Sequence, residues 1–67
     1  MITVKNKYTG EEQGYTLSPE EALVSAAIQE DGMTSYLNEE HWRKYYRNLI
    51  IRNNGVLRLG NWFVVAK

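Results

Sequence analysis

The sequence contains no cysteine and only one histidine. Without cysteine there is no disulfide framework and no thiolate metal site, on which small secreted domains usually depend. We therefore expect the chain to act in a reducing cytoplasm. The histidine, His41, follows Glu39 and Glu40. A zinc site needs three or four converging ligands, usually His or Cys, so we expect neither a metal nor another cofactor.

Long apolar runs and a one-sided charge are also lacking. No apolar run approaches the roughly 20 residues that span a bilayer, and the first residues lack the apolar core of a signal peptide. Eight basic residues balance eight acidic ones, for a formal net charge of zero. This balance argues against a protein that coats a polyanion and against an acidic DNA mimic. A membrane partner is not expected.

The composition is that of a small folded domain. Of its 67 residues, 43% are hydrophobic and 24% are charged, which is typical of globular proteins and too apolar for a disordered tail. Two Trp, five Tyr and one Phe supply large rings for a core that is marginal at this size. We expect one domain over residues 1–67.

The clearest local signal is Ser18-Pro19-Glu20-Glu21. Ser18 suits a helix N-cap, proline suits the first helical position, and Glu21 completes a capping box. A helix is predicted from Pro19 to about Glu30, ended by Asp31-Gly32. Its apolar face consists of Leu23, Val24, Ala27 and Ile28, with Ala22 and Ala26 beside it.

A second helix is predicted from a cap near Asn38 to roughly Ile50, followed by Asn53-Asn54-Gly55 as its end. Its apolar residues follow the i, i+3, i+4, i+7, i+8 spacing of a helix with one buried stripe. They are Trp42, Tyr45, Tyr46, Leu49 and Ile50. The alternative makes Leu49 to Arg52 a strand and Asn54-Gly55 a type I′ turn. We prefer the helix, because Leu49 and Ile50 complete its stripe.

The C-terminus predicts a β-hairpin, with strands at residues 56–59 and 62–65 joined by Gly60-Asn61 as a type II′ turn. Residues 2–4 predict an N-terminal strand, and Tyr15-Thr16-Leu17 a short strand paired with it. The expected fold is α+β, a small antiparallel sheet packed on two helices in the order β(β)ααββ. The N-terminal strand or hairpin and the C-terminal hairpin form this sheet.

Catalytic patterns are weak. Ser18 is accounted for as a cap, and neither Ser25 nor Ser35 lies in a G-x-S-x-G motif. The candidate acid–base carboxylates all lie in predicted loops or first helical turns, where solvation and the helix dipole explain them. They are Glu11, Glu12, Glu20, Glu21, Glu39 and Glu40. The loop from Gly10 to Gly14 holds two acids and would repel phosphate. We expect a protein that is not an enzyme.

Charge is distributed unevenly along the chain. Residues 1–40 hold two basic and all eight acidic residues, whereas residues 41–67 hold six basic residues and no acid. Such asymmetry can indicate nucleic-acid contact, here in a winged-helix-like arrangement. The basic stripe consists of Arg43, Lys44, Arg47 and Arg52. The alternative is that the two halves neutralise each other, as the i,i+4 pairs Glu39–Arg43 and Glu40–Lys44 begin to do.

The predicted C-terminal hairpin is apolar on both faces. Its inner face, expected in the core, carries Leu57, Leu59, Trp62, Val64 and Ala66. Its outer face carries Val56, Arg58, Phe63 and Val65. A solvated face should be polar, and this one is polar only at Arg58. The outer face is therefore predicted to bind another protein or a second copy. The alternative is that the N-terminal loop, with Tyr8 or Tyr15, covers it.

Residues 17–29 follow the pattern L-S-P-x-E-A-x-x-x-A-x-x-Q, and Gly60-Asn61-Trp62 supplies a later Gly-polar-Trp element. Together they resemble small uncharacterised proteins of bacteriophages and other mobile elements. The resemblance implies a phage origin, a site of action in the bacterial host cytoplasm, and binding to a host protein or nucleic acid rather than catalysis. A non-enzymatic protein-binding module is the function we expect, with nucleic-acid binding as the alternative.

Overall fold

The computed structural model describes residues 1–32 and 39–66. The proposed cap at Asn38 and the connector of residues 33–37, which includes Ser35, lie outside the described residues. The elements are β1 (Ile2–Asn6), β2 (Glu12–Tyr15), α1 (Pro19–Asp31), α2 (Glu39–Leu49), β3 (Ile51–Asn53), β4 (Val56–Leu59) and β5 (Trp62–Ala66). This arrangement confirms the α+β class and adds one strand, β3, to the predicted order. Neither helix of the described chain is long and apolar enough to cross a membrane.

All five strands form one antiparallel sheet in the order β2-β1-β5-β4-β3. The N-terminal strand β1 pairs with β5, so the two ends of the chain meet in the centre of the sheet. Helix α1 packs on one face against β1, β4 and β5, and α2 packs on α1. The core lies between this face and the helices. Its buried apolar residues are Val4, Ala22, Leu23, Val24, Ala26, Ala27, Ile28, Tyr46, Leu57, Leu59 and Trp62.

Helix α1 begins and ends as its sequence predicts. The hydroxyl of Ser18 accepts a hydrogen bond from the Glu21 backbone N–H at 3.3 Å, and proline follows at the first helical position. Gly32 takes the left-handed conformation with φ 66° and donates its N–H to the Gln29 carbonyl at 3.2 Å. The capping box is only half made. The carboxylate of Glu21 binds arginines of α2 instead of returning to the cap.

The second helix ends within one residue of its predicted end, but the prediction that Asn53-Asn54-Gly55 ends it is wrong. Helix α2 ends at Leu49, and residues 51–53 form a strand paired with β4. Asn54 (φ 52°) and Gly55 (φ 81°) both have positive φ, as a type I′ turn requires. The alternative hairpin interpretation is therefore the correct one for this turn. A favourable turn and a strand ladder outweigh continuation of the helix toward Gly55. Leu49, the last residue of α2, is 46% exposed, so it does not complete a buried stripe.

The N-terminal hairpin forms earlier in the chain than predicted. Strand β2 runs from Glu12 to Tyr15, so only Tyr15 of the expected second strand belongs to it. The side chain of Asn6, 2% exposed, fixes the intervening turn. Its Oδ1 accepts hydrogen bonds from the backbone N–H groups of Tyr8 at 2.8 Å and Thr9 at 3.1 Å. This side-chain turn closes the chain directly after β1, which sets the start of β2.

Candidate functional site

The C-terminal hairpin divides its residues between two faces as predicted. Arg58 pairs with Phe63, and Leu59 pairs with Trp62. Leu59 is 3% and Trp62 is 2% exposed, so this pair faces the core. Gly60 has a positive φ of 59°, and Asn54 is the one non-glycine residue of the described chain with a positive φ. The Gly60-Asn61 turn is therefore of type II′. The side chain of Ala66 lies outside the described part.

Hydrogen bonds hold the inner face of the sheet to α1. The indole Nε1 of Trp62 donates to one carboxylate oxygen of Glu30 at 2.9 Å. The amide Nδ2 of Asn6 donates to the other oxygen at 3.2 Å. Because Asn6 belongs to β1 and Trp62 to β5, one carboxylate joins the two central strands to the helix. The opposite face of the sheet, called here the open face, lies away from α1.

Strand register places one row of side chains straight across the open face. Lys5 of β1 pairs with Phe63 of β5, which pairs with Arg58 of β4. The row continues to the two edge strands. In spatial order it reads Glu12, Lys5, Phe63, Arg58 and Ile51. Directly paired residues share a face and lie within side-chain contact distance, so the only phenylalanine of the chain lies between two cations.

Large apolar side chains remain accessible around this row. Ile51 is 52%, Val56 is 47% and Val65 is 43% exposed, and Phe63 is partly buried. On the β2 side, Gly14 has no side chain. The Sδ atom of Met1 lies 3.1 Å from the position that a Cβ atom at residue 14 would occupy. The apolar surface therefore extends from β3 across the sheet to β2.

The N-terminal tyrosines do not cover the open face. Tyr8 is 85% exposed in the turn after β1. Tyr15 pairs with Ile2, packs against the core and donates its hydroxyl to the Gln13 side chain at 2.5 Å. Burial and the neighbouring Glu11 charge raise the pKa of Tyr15, as expected for a phenol on the inner side. No described element packs on the open face.

The basic stripe is largely engaged with the acidic start of α1. The carboxylate of Glu21 accepts hydrogen bonds from both Arg43 and Arg47. A guanidinium nitrogen of Arg52 lies 3.4 Å from a carboxylate oxygen of Glu20. The hydrogen bond from Arg47 and the charges of both arginines hold the pKa of Glu21 below its ordinary value, although burial opposes them. These contacts neutralise charge between the two halves of the chain. Lys44 is exposed on α2.

A cleft of about 630 Å³ lies between the start of α1 and the far ends of β4 and β5. It is lined by Pro19, Glu20, Arg52, Gly55, Val56, Leu57, Val64 and Val65. One of these apolar residues, Val56, also belongs to the open face. Within the described residues no group of three or more His, Asp or Glu side chains could hold a metal ion.

Sequence reasoning identified Val56, Arg58, Phe63 and Val65 as one surface. The strand register places Val56, Arg58 and Phe63 on one face. Val65 lies at a register shift between β1 and β5, where alternation does not fix its face, and it is exposed and lines the same cleft as Val56.

Sequence reasoning missed four further members of that face, Met1, Lys5, Glu12 and Ile51. Ile51 would have followed from the type I′ alternative at Asn54-Gly55. The other three depend on the pairing of strands from opposite ends of the chain, for which the sequence carries no local signal.

No family model matches the chain, and neither curated proteins nor solved structures gave a match. Function is therefore inferred from the geometry of the open face and from the residues on it.

Proposed function

We propose that this chain is a non-enzymatic binding module and that its protein partner docks on the open face of the sheet. The observation that carries this proposal is the accessible apolar surface formed by Ile51, Val56 and Val65, each about half exposed. Extended apolar patches on small proteins are typical of interaction sites, because they otherwise promote aggregation.

The centre of the face has the chemistry of an interface. Phe63 supplies a large ring, and Arg58 beside it supplies a cation with a long apolar stem. Aromatic residues and arginine are enriched among the residues that dominate binding energy. Lys5 completes the same row on the other side of the ring. A partner that covers the row gains apolar burial and contacts to fixed charges.

The carboxylates of Glu21 and Glu30 have structural roles. Glu21 binds two arginines, and Glu30 binds Asn6 and Trp62. Neither carboxylate is presented alone to a closed pocket, which general acid–base catalysis favours. These contacts support a module that binds and does not catalyse.

Nucleic-acid binding through α2 is the weaker proposal. Arg43, Arg47 and Arg52 all contact acidic residues of α1, so a phosphate would have to compete with those carboxylates. Lys44 alone offers little counterion release. The resemblance to phage proteins favours a host protein as partner, and the absence of cysteine favours the cytoplasm as the compartment.

Site-specific photo-cross-linking tests the proposed face. Val56→p-benzoylphenylalanine places a photoreactive group on the open face, and Lys44→p-benzoylphenylalanine places it on exposed α2 as a matched control. On irradiation of bacterial cells that produce the protein, we expect covalent adducts from position 56 and none from position 44. Adding Arg58→Glu to the position 56 variant should remove them, because it replaces the cation at the centre of the face by an acid. No adduct from position 56, or equal adducts from both positions, contradicts the proposal.

A further inference from the structure

The charges on the open face are arranged unequally about its centre. Glu12 lies on the edge strand β2, Lys5 on β1 and Arg58 on β4, all in the row that Phe63 crosses. With neighbouring strands about 4.8 Å apart, the row is roughly 19 Å wide. Glu12 therefore lies next to Lys5 and three strands away from Arg58. Such an unequal pattern can complement itself when one copy is turned over onto another.

One two-fold axis satisfies every charge of the row. Two sheets that pack face to face keep their strands within about 30° of each other. An axis nearly parallel to the strands and between β1 and β5 exchanges those strands and also exchanges β2 with β4. Glu12 of each copy then faces Arg58 of the other. Lys5 of each copy faces the ring of Phe63 of the other, a favourable cation–π pair.

The neighbouring symmetric arrangements bring like charges together. An axis that runs along β5 places Lys5 of one copy against Arg58 of the other. An axis along the row places each charged residue, including Glu12, against its own equivalent. Like charges in contact disfavour an interface. The row thus favours one of these three arrangements.

The apolar residues fit the same arrangement. The side chain of Met1, 79% exposed, lies over Gly14 on β2. The axis that exchanges β2 with β4 brings it toward Val56 of the second copy, 47% exposed. An apolar contact therefore lies beside each of the two Glu12–Arg58 pairs, on the same side of the row.

We propose that a second copy of this chain occupies the open face, in a two-fold symmetric dimer with Glu12 opposite Arg58 and Lys5 opposite Phe63. This inference depends on the proposed binding function and names its partner. A partner that carries only acidic groups would match the two cations but be repelled by Glu12. The second copy meets all three charges.

The area of the face limits the affinity of the dimer. The described part of the molecule extends over 32 × 22 × 21 Å. Its largest side covers at most about 700 Å² per copy, slightly below the roughly 800 Å² of a standard interface. We expect a reversible dimer with a dissociation constant in the micromolar range or weaker, visible only at high concentration.

Sedimentation velocity from about 10 μM to about 1 mM tests the dimer. The wild-type protein should show a concentration-dependent shift from monomer to dimer. Glu12→Arg and Arg58→Glu should each weaken association at least about tenfold, because each places like charges together. Their equimolar mixture should dimerise again, since Arg at position 12 then faces Glu at position 58 and Arg58 faces Glu12. Lys44→Glu, off the face, should leave association unchanged.

The neutral variants Glu12→Gln and Arg58→Gln guard against loss of fold, which circular dichroism monitors. They should weaken association without recovery on mixing. The proposed dimer is contradicted if the wild-type protein stays monomeric at all concentrations. It is also contradicted if neither Glu12→Arg nor Arg58→Glu weakens association. If the monomer still yields adducts with another protein from position 56, the dimer fails and the proposed function stands. Absence of both contradicts both.

Discussion

The carboxylate of Glu21 links the two helices. It lies in the first turn of α1 and accepts hydrogen bonds from Arg43 and Arg47 of α2. Its side chain is only 21% exposed, so solvent screens these contacts less than it screens an ordinary surface pair. A residue whose spacing from Ser18 indicates a capping role thus stabilises tertiary structure instead.

The contacts of Glu21 make stability depend on pH. Its pKa in the folded state is lowered, chiefly by the hydrogen bond from Arg47. The stabilisation is therefore complete above the ordinary carboxyl pKa of 4.5 and is lost as pH falls through the lowered value. Glu21→Gln should destabilise the protein at neutral pH, and its deficit against wild type should shrink in acid. Urea denaturation at about pH 7 and about pH 3 measures the deficit. An equal deficit at both values contradicts this account.

At the scale of elements, the β3–β4 hairpin is the feature that local patterns leave ambiguous. In the sequence, Leu49 and Ile50 complete the apolar stripe of a helix, but residues 49–52 can also be assigned to a strand. The turn at Asn54-Gly55 decides between them, because both residues have the positive φ of a type I′ turn. The resulting strand carries Ile51 onto the open face.

Gly55 should be the residue on which this hairpin depends. Its φ of 81° disfavours any side chain, although a Cβ there would meet nothing within 4 Å. Gly55→Ala should therefore lower the free energy of unfolding by about 1–2 kcal/mol through backbone strain alone. Asn54→Gly is the matched control, because glycine accepts the same conformation, and it should change stability little. A neutral Gly55→Ala in thermal denaturation would refute the assigned turn.

The sequence predicts the elements whose signals are local. Ser18, Pro19 and Gly32 define α1, and Gly60-Asn61 defines the C-terminal hairpin, so the two faces of that hairpin follow directly. The pairing of β1 with β5 joins residues about sixty positions apart, and no capping or turn signal specifies it. Lys5 could not be assigned to the candidate site without that pairing. Val56, Arg58 and Phe63 could be assigned to it from the sequence, because alternation alone places them on one face. Val65 could not, because the register shifts at this point.

At the scale of the molecule, the sheet has one face that holds the fold together and one on which no described element packs. Trp62 and Phe63 are neighbours in β5 but belong to opposite faces. Trp62 is buried and bonded to Glu30, whereas Phe63 lies between two cations. Stability and binding should therefore respond separately to changes at these adjacent positions.

Trp62→Ala should cost about 3–5 kcal/mol, because it removes a buried ring and leaves a cavity in a small core. Phe63→Glu should cost less than about 1 kcal/mol, since the carboxylate gains favourable cross-strand pairs with Lys5 and Arg58. Urea denaturation compares the two variants. A larger loss for Phe63→Glu than for Trp62→Ala would mean that the faces are reversed.

The most direct test of the open face as a binding surface measures folding stability and photo-cross-linking on the same variants. Val56→p-benzoylphenylalanine is prepared with and without Arg58→Glu, and both proteins are assayed for unfolding and for photo-adducts. Because Arg58 is exposed, we predict nearly equal free energies of unfolding, and we predict loss of the adducts from the variant that carries Arg58→Glu. If that variant does not fold, Arg58→Gln replaces Arg58→Glu. Adducts that persist at the wild-type level in a folded variant would contradict the proposed surface.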